Sequence, residues 1–124
     1  ERGVMVKNLF LRDAKGHRHF LVVAPDHKPI DLKALKDKIG STRLSFGSPE
    51  RLDKFLGVSR GSVSPFGILN DETAAVEVFL DKSLQGRPDV GVHPNDNTAT
   101  VFLACDDLET ILREHGNTVT YLDV

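Results

Sequence analysis

One cysteine in 124 residues, Cys105, excludes an internal disulfide framework and any cysteine-rich zinc site. No apolar run approaches the ~20 residues that a membrane-spanning helix needs. The first residues, Glu1-Arg2-Gly3, do not begin a secretory signal. A soluble, cytosolic protein is therefore expected. Repeats and low-complexity segments are absent. So is the nucleophile elbow G-x-S-x-G, because position 62 is serine where that pattern wants glycine before Ser64, which leaves Ser62 and Ser64 as poor nucleophiles. What is present, a chain 40% apolar, suits one compact domain that buries about two thirds of its unfolded surface.

Net charge is −2, yet the sign is unevenly placed. Residues 1–60 carry 13 Lys+Arg against 7 Asp+Glu, a balance of +6, whereas residues 61–124 carry 3 against 11, a balance of −8. A basic half on a nearly neutral molecule can follow a phosphate backbone. A lysine-rich helix over 33–38 that is merely a solvated face is the competing reading.

Hydrophobic patterning sets out the elements. Val4 to Leu11 alternates as a strand, Asp13-Ala14-Lys15-Gly16 turns, and His19 to Ala24 reads as a buried strand that closes a hairpin. Pro25 to Pro29 breaks the pattern. Asp31 caps a helix that runs through Ile39 and stops at Gly40. Arg43 to Phe46 is a short strand. Ser48 with Pro49 then starts a helix carrying Leu52, Phe55 and Leu56 on one face, ended by Gly57. Beyond a loop, Ala75 to Leu80 is a strand, Lys82 to Leu84 one helical turn, Val90 to His93 a short strand, and Thr98 to Ala104 another. Asp106 and Glu109 form a capping-box pattern for a helix over 107–115, and Val119 to Leu122 is a last strand. Hairpins and short helices without strict βαβ alternation indicate a mixed sheet with helices around it.

The most distinctive stretch is Gly61-Ser62-Val63-Ser64-Pro65-Phe66-Gly67. Glycine permits positive φ and close approach to the backbone, and proline stiffens the loop. The result can be a rigid row of N–H donors for a developing oxyanion, or an ordinary surface turn. Lys7 lies inside an apolar strand, where it either reaches out to solvent or has a specific anion to meet. Asn8 points to the opposite face in an ideal strand. His93 precedes Pro94 and the asparagine-rich loop of Asn95 and Asn97; it can hold water or a hydroxyl, or can be a capped surface histidine. His17 and His19 share a strand face and with His27 or His93 could ligate a metal, but no carboxylate or cysteine sits at a helpful spacing. Cys105 before a helix could be a thiolate nucleophile or a small core residue.

Taken as an ordered set, Lys7-Asn8-Leu9-Phe10-Leu11, Arg18 to Val23, Arg43 to Phe46 with Ser48 to Leu52, GSVSPFG at 61–67, and His93-Pro94 with Asn95 and Asn97 before Thr98-Ala99-Thr100 resemble the YbaK-like aminoacyl-tRNA editing domain family. Within it the chain is most similar to free-standing prolyl-tRNA editing proteins, which deacylate alanyl-tRNA(Pro). The resemblance implies an α+β fold, a barrel-like open mixed sheet with surrounding helices, over a single domain of residues 1–124. Members usually carry further residues before the lysine strand, whereas this chain starts six residues ahead of Lys7, so a domain lacking that N-terminal segment is expected.

The implied activity is hydrolysis, by water attack and without cofactor or metal, of the ester joining a wrong amino acid to the 3′ ribose of tRNA. The implied catalytic set is Lys7, Gly61, Ser62, Val63, Ser64, Pro65 and His93. Asn8, Leu9, Phe66, Gly67, Val92, Asn95 and Asn97 are the implied substrate contacts. The partner is the acceptor end of tRNA(Pro), with prolyl-tRNA synthetase as a second candidate and with neither membrane nor DNA. Alanine is the expected acyl group, serine or cysteine the alternatives. A non-catalytic tRNA-binding or synthetase-associated module is the competing function.

Overall fold

The computed structural model describes residues 4–57, 63–92 and 100–124. Seven strands form one mixed sheet: β1 (Val4–Arg12), β2 (His19–Pro25), β3 (Ser45–Phe46), β4 (Val76–Asp81), β5 (Val90–Val92), β6 (Val101–Leu103) and β7 (Val119–Leu122). Their order is β6-β5-β1-β2-β4-β7, with β3 also paired to β1. β1 is antiparallel to β2 and to β3, and parallel to β5; β4 is parallel to both β2 and β7. Three helices, α1 (Leu32–Ile39), α2 (Pro49–Leu56) and α3 (Cys105–His115), cover the sheet together with 3-10 turns at Pro65–Asn70 and Lys82–Leu84. Among the described residues no helix is long and apolar enough to cross a membrane.

The hairpin follows directly from the patterning. Asp13 caps its turn by accepting from His17 N (2.8 Å) and Arg18 N (3.2 Å), which satisfies donors that the bend would leave unpaired. β2 is buried along its whole length because both sheet faces are covered. On one face Val6, Phe10, Leu21, Val23, Val78 and Leu80 pack with Leu52 and Leu56 of α2 and Leu108 and Leu112 of α3. On the other, Leu11, Phe20, Val22, Ala24 and Phe79 pack with Leu35 of α1, Leu44 and Val124.

Most helix ends form where the sequence puts them. Asp31 accepts from Lys33 N and Gly40 closes α1 at φ 78°, while Ser48 accepts from Arg51 N and Gly57 closes α2 at φ 67°. Three elements differ. β3 is only Ser45–Phe46, shorter than the expected 43–46, because it pairs with Leu11 and Arg12 alone. β6 is Val101–Leu103, without Thr100 and Ala104 of the expected 98–104, while positions 98 and 99 lie outside the described residues. α3 starts at Cys105 with Ala104 as its cap and no side-chain cap bond, which corrects the Asp106–Glu109 capping box. Glu109 instead receives Arg113 Nε at 2.7 Å and the Tyr121 hydroxyl at 2.8 Å, stronger partners than a frayed backbone N–H. Asp106 and Asp107 still favour the positive end of the helix.

One buried ion pair ties the C-terminal end of β4 to the segment after β2. Asp81, fully buried, receives Lys28 Nζ at 2.7 Å, Val124 N at 3.1 Å and both the backbone N–H and the hydroxyl of Ser83. Burial by itself would raise the carboxyl pKa; Lys28, Ser83 and Val124 outweigh it and hold Asp81 below the usual range. The Lys28 ammonium is correspondingly raised, chiefly by its bond to Asp81. The pair's stabilisation is therefore complete above the unfolded carboxylate pKa of about 3.9 and is lost as pH falls through the lower folded value. Asp81→Asn should lower unfolding free energy by about 3 kcal/mol at pH 7. The same variant should flatten the acid limb below about pH 4. Urea titrations of both proteins across pH 2–7 measure this; an unaltered acid limb would remove Asp81 from the account.

Candidate functional site

The site begins with the edge of β1 opposite β2. β5 pairs there with Val4 and Met5, and β3 with Leu11 and Arg12. Among the described residues no strand pairing covers positions 6–10 on that edge, and Asn8 stands at the middle of the interval. A cleft of about 350 Å³ opens beside it, lined by Asn8, Phe10, Phe46, Gly47, Leu52 and Val63. Its walls are mainly apolar, with one polar group buried among them, the composition of a small-molecule site.

That polar group is the Asn8 amide. Its Nδ2 donates to the Val63 carbonyl at 3.4 Å, while its Oδ1 is buried with no hydrogen-bond partner among the described residues. An orphaned buried acceptor costs about 1–3 kcal/mol, so a site that keeps one gains by receiving a donor there. Val63 brings the far wall. It leads into the 3-10 turn, where Ser64 Oγ accepts from Phe66 N at 3.2 Å and Pro65 occupies the first position. Gly67 N donates to the Ser64 carbonyl at 3.0 Å, and Asn70 Nδ2 donates to the Leu56 carbonyl at 2.8 Å, so the turn is clamped to the end of α2.

The expected site residues fall into several places. Asn8 and Val63 line one cleft. Ser64 and Pro65 are buried behind it, and the N–H groups of Phe66 and Gly67 serve the Ser64 cap rather than facing the cleft. Gly67 packs on Leu56, where an added Cβ would lie 3.0 Å from the leucine Cβ. Lys7 is on the opposite sheet face from Asn8, in register with Ala24, and its ammonium donates to the Lys28 carbonyl. Leu9 shares that face and packs against the α1 cluster. Val92 is fully buried in the core. Gly61, Ser62, His93, Asn95 and Asn97 lie outside the described residues.

The rival cysteine nucleophile finds little support in the geometry. Cys105 is buried, burial pushes its thiol up despite a contact with the Tyr121 hydroxyl at 3.4 Å, and it therefore stays protonated as a core residue. Among the described residues no group of three or more His, Cys, Asp and Glu could hold a metal. His17 is exposed, whereas His19 is buried.

His19 belongs to a cluster that no local pattern in the sequence signals. Its ring lies 4.2 Å from that of Phe55 and 5.8 Å from that of Phe10, which itself lines the cleft. Arg51 Nη1 approaches His19 Nε2 at 2.8 Å, and Arg51 also donates to the Gly16 carbonyl at 3.3 Å. An arginine can only donate, so Nε2 accepts and the imidazole is neutral. Burial first, and the Arg51 charge second, lower its pKa, while Asp13 opposes them weakly. The unfolded chain then binds a proton near pH 6.5 that the folded one refuses, so stability falls as pH drops below that value. His19→Gln should weaken this fall. Comparing urea midpoints at pH 7.5 and 5.5 measures it; an equal loss in both proteins would place the titration elsewhere.

Comparison with known proteins fits this arrangement. Residues 1–111 match the family model described as aminoacyl-tRNA editing domain. The prolyl-tRNA editing protein ProX of Acetoanaerobium sticklandii is 61% identical over 120 residues, which is 97% of this chain and 73% of the relative. Prolyl-tRNA synthetase associated domain-containing protein 1 of Danio rerio is 34% identical over 122 residues, 97% of this chain and 66% of the relative. A crystal structure described as a candidate trans-editing enzyme for prolyl tRNA synthetase superposes with a TM-score of 0.69 at 26% identity, covering 98% of this chain and 71% of that one. A mixed sheet wrapped by short helices, a loop-walled cleft on β1 and these similarities lead to one assignment: the chain belongs to the aminoacyl-tRNA editing domain family.

Proposed function

We propose that this chain is an aminoacyl-tRNA deacylase that removes a wrong amino acid, alanine first among candidates, from tRNA(Pro) by direct water attack on the ester. The observation that carries the reading is the buried Oδ1 of Asn8, without a hydrogen-bond partner among the described residues, in the wall of a cleft of about 350 Å³. An aminoacyl ester brings an α-ammonium, a strong donor, and Asn8 Oδ1 beside the Val63 carbonyl gives it two acceptors. Phe10, Leu52 and Val63 would then enclose a small acyl side chain. The 61–65 loop, held at its far end by the Ser64 cap, supplies backbone N–H groups to the carbonyl oxygen as charge develops there. His93 orients the water.

Lys7 acts from the other face of β1 in this proposal. Its ammonium leaves the Lys28 carbonyl for a terminal phosphate of the tRNA. Lys33, Lys36 and Arg43, which line a groove of about 690 Å³ between α1 and the segment leading into β3, follow the backbone farther out. The names of the relatives support prolyl-tRNA as the substrate and prolyl-tRNA synthetase as a partner; in this proposal residues 1–124 act as one domain in the cytoplasm. Serine and cysteine remain the alternative acyl groups, because pockets separate methylene-sized differences by only about 1–3 kcal/mol.

Single-turnover release of alanine from alanyl-tRNA(Pro), with prolyl-tRNA(Pro) as control, tests the reading. Alanine should be lost and proline spared. Asn8→Ala should slow the bound-state rate by about 100-fold. Lys7→Ala should chiefly weaken capture of the tRNA, with a shallower dependence on salt. Full rate in Asn8→Ala would remove Asn8 from the mechanism, and binding without any release would favour a non-catalytic module.

A further inference from the structure

Arg51 does not line the Asn8 cleft, yet it fastens the element that carries one of the cleft walls. From the first turn of α2 it donates to His19 Nε2 at 2.8 Å and to the Gly16 carbonyl at 3.3 Å. The hairpin turn makes room for it: a Cβ at Gly16 would lie 2.7 Å from Arg51 Nη2, and the φ of 72° there is one that glycine takes without strain. One side chain thus ties α2 to the turn and to β2.

Two walls of the cleft lead to this tie. Leu52 follows Arg51 on α2 and is buried, and the Phe10 ring stacks with His19, 5.8 Å between centroids and 14° between planes. Phe55, also on α2, holds the other ring contact of His19 at 4.2 Å. Phe10 has little room to adjust, because a Cβ at Gly47 would lie 2.4 Å from its Cδ2. Side chains packed this closely pass a displacement on rather than absorb it.

The tie also needs a neutral imidazole. Once protonated, Nε2 has no lone pair to offer, and two cations would face each other at hydrogen-bond distance. The surroundings bring little relief. Lys54 of α2 and Arg12 of β1 add positive charge, Asp13 of the hairpin turn is the one negative group acting on the ring among the described residues, and β4 sets the uncharged Val76 in register with it. Acid therefore parts Arg51 from His19.

We propose that Arg51 and His19 are positioning residues that set the size of the Asn8 cleft: their contact fixes the wall formed by Phe10 and Leu52 and so decides which acyl groups enter. This rests on the deacylase reading and adds to it the source of size selection. With the contact intact the cleft takes alanine and refuses the larger proline. With it broken the wall yields, and proline is admitted.

Single-turnover deacylation of alanyl-tRNA(Pro) and of prolyl-tRNA(Pro) is followed side by side between about pH 7.5 and about pH 5, a range that spans the ordinary histidine pKa. The ratio of the two rates cancels every pH effect common to both esters, water activation included. In the wild type this ratio should fall about ten-fold towards acid. His19→Gln, whose amide oxygen accepts from Arg51 but does not titrate, should hold the ratio constant. Arg51→Met should show the low ratio at every pH, and Arg51→Lys should recover part of the selectivity at the upper end. A wild-type ratio independent of pH, or the same slope in His19→Gln, would overturn the proposal. The 13C-methyl resonances of Leu52 read the wall without any reaction: they should move with the midpoint of the His19 ring protons in the wild type and stay still in His19→Gln. Methyls that ignore the His19 titration overturn the proposal even where hydrolysis is seen. Methyls that follow it while neither ester is hydrolysed keep the coupled wall and remove the deacylase reading alone.

Discussion

The unbroken register of β1 against β2 is the constraint on which the site depends. Seven consecutive pairs, from Val6 with Pro25 to Arg12 with His19, leave no bulge in which two neighbouring side chains could turn the same way. Lys7 and Asn8 are consequently divided between the two faces. Asn8 goes to the α2 and α3 side and meets Val63; Lys7 goes to the α1 side and meets the Lys28 carbonyl. One slipped residue would exchange them and would also turn Phe10 and Val6 out of the core.

Around that strand the molecule uses buried polar contacts as fasteners. Asp81 gathers Lys28, Ser83 and Val124; Asp71 receives Val76 N at 2.8 Å and Asn117 Nδ2 at 3.1 Å; Asn70 holds the 3-10 turn to α2. Each satisfies its partners, as low-dielectric surroundings require. Asn8 Oδ1 is the contrast at the cleft, a buried acceptor without a described donor. His19, stacked on Phe10, and its partner Arg51 belong to the frame.

The chemistry proposed for this cleft is electrostatic and positional. Cys105 is buried and protonated, and Ser64 is a buried cap, so neither is available as a nucleophile. A small apolar cleft with one buried amide can bind and align an acyl group, and water with oriented N–H donors can do the rest. The groove by α1, lined by Lys33, Lys36 and Arg43 together with Asp37, is the seat proposed for the other half of the substrate, the phosphate backbone.

The amino-acid sequence determined the local decisions: the hairpin with its Asp13 turn, the Asp31 and Ser48 caps, the glycine stops at 40 and 57, and the alternation that separates Lys7 from Asn8. These are set by neighbours a few residues away, so they are readable without the fold. It also held the ordered motifs that identify the family. Ser64-Pro65 repeats the helix-start signal of Ser48-Pro49, yet the reading from sequence took 61–67 as a loop and did not place the 3-10 turn at Pro65–Asn70. What only the tertiary structure decided is long-range. Asp106 has no cap role because α3 starts one residue before it, at Cys105, and Glu109 is taken by Arg113 and by Tyr121 of β7. Arg51 reached His19 from 32 positions away, and Asn8 outranked Lys7 in the cleft because Val63, 55 positions away, arrives on its face. No local rule carries those partners, because they become neighbours only when the sheet closes.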